Sequence, residues 1–156
     1  MPYTLEVCVD SVASALAAKR GGADRLELCA DLIIGGTTPS IALVRQVKAE
    51  TGLPVRVLLR PRFGDFCYDR YELAQMAETA AALVQAGADG IVTGVLTPEG
   101  ELDVDALRPI YAAARAAAKA AGRPIACTLH RAFDVCKDPF AALEAAKALN
   151  LGTILT

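Results

Sequence analysis

Two short stretches of this sequence repeat one chemical pattern. Leu5-Glu6-Val7-Cys8-Val9-Asp10 and Leu26-Glu27-Leu28-Cys29 each set a carboxylate and a thiol between aliphatic neighbours. Side chains alternate across the faces of a β-strand, so Glu6 shares a face with Cys8 and Glu27 with Cys29, while Leu5, Val7, Val9, Leu26 and Leu28 line the other. Charged side chains are almost never fully buried without a partner, so an ordinary core strand has no use for this combination. A polar site between two consecutive strands is the expectation. Its thiols would suit a soft metal ion. On neighbouring strands about 4.8 Å apart, staggered by up to one residue's rise of about 3.3 Å, the β-carbons of Cys8 and Cys29 come within roughly 6 Å, and one ion could bridge the sulfurs. The competing reading is that both are small buried hydrophobes, the usual fate of free cysteine.

A second set of residues points to proton transfer and anion binding. Glu6, Glu27, Arg60, Arg62 and His130 form a mixed polar ring in which the arginines would hold a small anion, a glutamate would act as general base and His130 would shuttle a proton. Glu27, Arg60 and His130 are the catalytic candidates; Glu6, Arg60, Arg62 and His130 are the ligand-binding ones. Alternatively, the same groups satisfy one another as ion pairs. No nucleophile motif, P-loop or GxGxxG names a reaction. Gly35-Gly36-Thr37-Thr38, ahead of a helix, is either a phosphate- or carboxylate-binding turn with free amides or a plain turn and cap. Cys67 is a third ligand or a loop thiol, Cys127 a core residue and Cys136 a loop residue. Asp10, Asp65 and Asp134 fall just beyond strand ends, where Asp10 reads as a helix N-cap.

Alternating strands and helices must position these groups. Strands are expected at 5–10, 23–30, 54–60, 88–93, 124–130 and 152–156, and helices at 11–20, 40–50, 69–85, 104–121 and 140–150. Thr38-Pro39 reads as the cap and first turn of the second helix, and Pro109 as a kink or delayed start of the fourth. Strict alternation argues for βαβ units and a parallel sheet. Polar residues crowding one face toward the strands' C-terminal ends favour a TIM (β/α)8-type barrel over an open sheet with two apolar faces. About six strands and five helices make that barrel incomplete. The third strand places Val55, Val57 and Leu59 on one face and Arg56, Leu58 and Arg60 on the other; in the fifth, Cys127 faces the helices and His130 the interior.

Composition narrows the class further. The 156 residues suit one domain, and much of the 54% apolar content is alanine, as expected of helices packed on a sheet. No run is long and apolar enough for a membrane span, and Met1-Pro2-Tyr3-Thr4-Leu5-Glu6 does not read as a secretory signal, so a cytoplasmic setting is expected. A net charge of −2 without a basic stripe argues against nucleic-acid binding. Five cysteines, odd in number and irregularly spaced, read as free thiols.

Taken together, the sequence resembles the CutC family of copper homeostasis proteins. The resemblance is carried by Leu5-Glu6-Val7-Cys8-Val9-Asp10-Ser11, Gly21-Gly22-Ala23-Asp24-Arg25-Leu26-Glu27-Leu28-Cys29, Gly35-Gly36-Thr37-Thr38-Pro39-Ser40, Arg60-Pro61-Arg62, Gly64-Asp65-Phe66-Cys67-Tyr68, Gly94-Val95-Leu96-Thr97-Pro98 and His130-Arg131-Ala132-Phe133-Asp134. It implies a TIM-barrel fold and a copper role, which makes Cu(I) the ion expected at Cys8 and Cys29. It also implies that 1–156 is a single barrel domain lacking the last βα units, with exposed edges through which copies could associate. The rival expectation is a TIM-barrel enzyme acting on a small phosphate- or carboxylate-bearing metabolite, only indirectly linked to copper.

Overall fold

The computed structural model describes residues 3–156, so Met1 and Pro2, the head of the amino-terminal stretch read above, lie outside the described residues. Strands and helices alternate along the chain: β1 (Glu6–Val9), α1 (Val12–Arg20), β2 (Arg25–Leu28), α2 (Ile41–Thr51), β3 (Val55–Leu58), α3 (Arg70–Gln85), β4 (Gly90–Thr93), α4 (Val104–Ala120), β5 (Ala126–Leu129), α5 (Pro139–Ala148) and β6 (Thr153–Ile154). The sheet order is β1-β2-β3-β4-β5-β6 and every neighbouring pair is parallel. A doubly wound sheet reverses its strand order at a switch point. This one never reverses, which is the winding of a barrel. Among the described residues the architecture is an incomplete TIM-type barrel of six strands and five helices, with β1 and β6 each paired on one side.

The two faces of the sheet are chemically distinct, as the alternation requires. Val9, Leu26, Leu28, Val55, Val57 and Ile91 belong to the main core, which they form with helix residues such as Val44, Met76, Leu83, Leu107 and Tyr111. Cys127 joins that core at 4% exposure, as expected. Burying a side chain of this size contributes about 1.5–3 kcal/mol, so this layer supplies much of the stability. Tyr111 ties α4 to the sheet by donating its hydroxyl to the carbonyl of Thr128 at 2.9 Å. A second, small apolar cluster, Cys29 with Leu58 and Val92, sits apart from the main core. These three fall on the opposite side of their strands, facing the barrel interior.

Local signals set the helix starts, with three departures from expectation. The N-cap of α1 is Ser11, not Asp10: Ser11 Oγ accepts from the Ser14 amide at 3.1 Å, and Ser14 Oγ accepts from the Ser11 amide at 3.1 Å. A hydroxyl pair closes this box where an aspartate looked the natural cap. Ser40, not Thr38, caps α2; Thr38 instead bonds to the backbone of Arg60. Pro109 neither delays nor ends α4. The connections from β2 to α2 and from β5 to α5 carry short 3-10 turns, Leu32–Ile34 and Arg131–Val135, and α5 ends before Asn150, whose φ is 53°. Ser11→Ala is expected to lower stability in urea unfolding by about 1 kcal/mol, with Asp10→Ala near neutral. Equal losses in the two variants would return the cap to Asp10. Among the described residues, no helix is long and apolar enough to cross a membrane.

Candidate functional site

The interior of the barrel is layered, and the register decides which layer each residue enters. β1 pairs with β2 so that Glu6 stands beside Arg25 and Cys8 beside Glu27. In the lower layer, the Glu6 carboxylate forms an ion pair with Arg25 and lies 3.8 Å from Arg56 Nε. Arg56 reaches across β4 to donate to the hydroxyls of Thr128 and Thr153, each at 3.0 Å. Gly90 makes that crossing possible, because a β-carbon there would sit 2.8 Å from Arg56 Cγ. Glu6 is therefore neutralised in a structural layer below the cavity.

Above it lies a cavity of about 180 Å³ lined by Cys8, Glu27, Cys29, Arg60, Phe66 and His130. Arg60 is 8% exposed and none of its hydrogen bonds reaches a carboxylate; its guanidinium donates to the carbonyls of Gly36 at 3.2 Å and Gly64 at 2.8 Å. The Phe66 ring lies 5.0 Å from the Arg60 guanidinium carbon and 4.7 Å from the His130 ring. His130 is 4% exposed, and its Nδ1 accepts from the Ala132 amide at 3.2 Å. The proton of the neutral ring is thus on Nε2. Burial, with Arg60 as a further contributor, holds the imidazole down to about 4, so it is neutral at physiological pH. Glu27 is pushed up to about 7, chiefly by burial and then by the neighbouring Glu6 charge.

The thiols share this cavity but not one register position. Cys8 stands beside Glu27, and the Cys29 amide bonds to the Val9 carbonyl, so Cys29 lies two residues beyond Cys8's partner. That is twice the stagger anticipated, because β2 sits further along β1 than their matched motifs suggest. The separation along the sheet becomes about 8 Å between α-carbons. Cys8 is exposed and directs its thiol at Glu27 Oε1, 3.9 Å away; Cys29 is buried and directs its own at the Val9 carbonyl, 3.7 Å away. Burial and the adjacent carboxylates push Cys8 up to about 11, while burial, Cys8 and Glu27 push Cys29 up to about 12. Both are thiols at neutral pH. Among the described residues, no group of three or more His, Cys, Asp and Glu side chains is arranged to hold a metal.

The remaining candidates stand elsewhere. Arg62 organises the loop after β3, pairing with Glu72 at 2.5 Å and Asp65 at 3.2 Å and donating to the Cys67 carbonyl at 2.7 Å. The Cys67 thiol faces the carbonyl of Thr97, and Asp134 pairs with Arg131. The amides of Gly35, Gly36, Thr37 and Thr38 all donate to backbone carbonyls, so this turn offers no free amides to an anion; it serves Arg60 through its carbonyls instead. Of the residues expected to converge, Cys8, Glu27, Cys29, Arg60 and His130 line one cavity, while Glu6 lies below it and Arg62 in the loop after β3. Phe66, a loop residue outside any periodic pattern, was not among them, nor was the Glu6 partner Arg25, which the same alternation rule places on the face of Glu27.

Comparison with known proteins gives this arrangement its context. The chain is 44% identical over 154 residues to the human copper homeostasis protein cutC homolog, covering 99% of this chain and 54% of that protein. A CutC family protein of Salmonella schwarzengrund is 43% identical over 152 residues, covering 97% of this chain and 58% of the relative. The chain thus spans about half the length of the curated relatives it matches. A solved CutC from Streptococcus agalactiae superposes with a TM-score of 0.85 at 28% identity, covering 97% of this chain and 71% of that one. The CutC family model matches residues 3–156, from before the first strand to the last residue, and the chain belongs to the CutC family.

Proposed function

We propose that this chain handles copper as Cu(I), held between Cys8 and Cys29 at the mouth of the barrel cavity in a reducing, cytoplasmic setting. The observation that carries this reading is that two thiols on adjacent strands line one cavity. Relatives named for copper homeostasis support it. Thiolates favour Cu(I) over harder ions, and a two-coordinate ion needs no third ligand. The donor set therefore fits, since the two Cβ–Sγ arms can lean toward each other across their offset. Both thiols are protonated beforehand, so uptake of the ion must displace their protons, and affinity is expected to rise with pH.

The test is an anaerobic Cu(I) titration of the reduced chain against a competing chelator, with Cys8→Ser/Cys29→Ser in parallel. One-to-one uptake with proton release, lost in the double variant, is the expected result. Weak uptake of equal strength in both proteins would sink the copper assignment. A second reading, an enzyme acting on a small anion, is favoured by a different observation: three residues lining the same cavity each carry one buried side-chain atom without a hydrogen-bond partner.

A further inference from the structure

We propose that the barrel cavity is a binding site for a small hydroxycarboxylate, with Arg60 and His130 holding the carboxylate and Glu27 the hydroxyl. Buried polar atoms in folded proteins nearly always have hydrogen-bond partners, and each exception calls for a reason. Four side-chain atoms among the described residues lack one, and three of them, Glu27 Oε2, Arg60 Nε and His130 Nε2, belong to residues lining this single cavity. All three residues are more than nine-tenths buried, at 7%, 8% and 4% exposure. Leaving such atoms bare is costly, and a ligand that supplies their partners recovers that cost.

The chemistry of these atoms specifies the ligand. Arg60 Nε and His130 Nε2 are both hydrogen-bond donors, the latter because Nδ1 already accepts from Ala132. Arg60 brings a buried positive charge that no carboxylate of the protein neutralises. The other cation at the rim, Arg131, is 72% exposed and engaged with Asp134. One uncompensated cation matches a monoanion, and a phosphate dianion would leave half its charge facing Glu27. Glu27 Oε2, the remaining unpartnered atom, is an acceptor suited to a hydroxyl. The volume of about 180 Å³ limits the ligand to a small molecule, and Leu32, Leu58 and Leu155 make the rest of the wall apolar.

This site does not depend on the copper reading, and the test separates them. Glycolate is titrated into metal-free protein whose single histidine is labelled with nitrogen-15, and the His130 ring signals report occupancy. The expected result is a saturable shift of the Nε2 signal by glycolate, with acetate and inorganic phosphate each binding at least tenfold more weakly. Arg60→Met is expected to weaken glycolate at least tenfold. The ring signal in the unaltered chain decides the matter even where Arg60→Met does not fold. No shift with glycolate, equal binding of acetate, or preference for phosphate would each overturn the assignment.

Discussion

Gly94→Ala is expected to destabilise the protein by about 3 kcal/mol, the upper end of the range for overpacking a filled interior. A β-carbon at this position would lie 2.7 Å from His130 Nδ1, 2.8 Å from Cε1 and 3.0 Å from Leu129 Cδ1. Two of these atoms belong to a buried ring, and the third is a methyl of the fully buried Leu129. The imidazole is walled by Phe66 and fixed by the Ala132 amide on the very nitrogen the new methyl would strike. To withdraw, it must give up that bond and leave a buried acceptor bare, so the packing cost and the hydrogen-bond cost add. Gly152→Ala is the control, because no atom lies within 4 Å of its would-be β-carbon and its φ is ordinary. Urea unfolding of the two variants, with the His130 ring signals recorded alongside, checks the argument. If Gly94→Ala is as stable as Gly152→Ala, with unmoved ring signals, then the glycine does not hold the histidine in place.

The same position shows what the sequence could and could not disclose. Strand alternation was enough to send Glu27, Cys29, Arg60 and His130 to one interior, because a period of two is a local property of the backbone. It could not say at what height along the barrel each one stands, since that depends on the offset between strands. The offset separates Glu6 from Glu27: identical in motif, one is neutralised by Arg25 and Arg56 and the other faces the cavity. It also places Cys8 beside Glu27 and not beside Cys29. Arg62 next to Arg60 was a similar trap. Two residues on from a buried arginine, it has left β3 and turned to Glu72 on α3. Phe66 needed the fold itself, because a loop residue's distant neighbours have no counterpart in local pattern.

The metal-free chain is expected to show a stability profile nearly level between about pH 6.5 and 4.5, and single replacements should unmask two opposed slopes beneath it. His130 falls to about 4 in the folded chain from an ordinary 6.5, so the unfolded chain takes up this proton first. Its contribution is full above pH 6.5 and is lost as the pH falls toward 4, by roughly 3 kcal/mol in all. Glu27 runs the other way. Raised from 4.5 to about 7, it is protonated first in the folded chain, so stability is gained as the pH falls from 7 to 4.5, again by roughly 3 kcal/mol. Over the shared window the two contributions offset each other. Glu27→Gln should leave the histidine slope alone, with stability declining on acidification, whereas His130→Asn should leave the glutamate slope, with stability climbing. Asp65 and Asp134, both held below their usual range, titrate at lower pH and are common to all three proteins. Parallel profiles for the three would mean that the two groups do not titrate as the buried cavity requires. Opposed slopes would mean that the fold keeps the proton on Glu27 and off His130, leaving Arg60 as the cavity's one buried positive charge for an incoming carboxylate to meet.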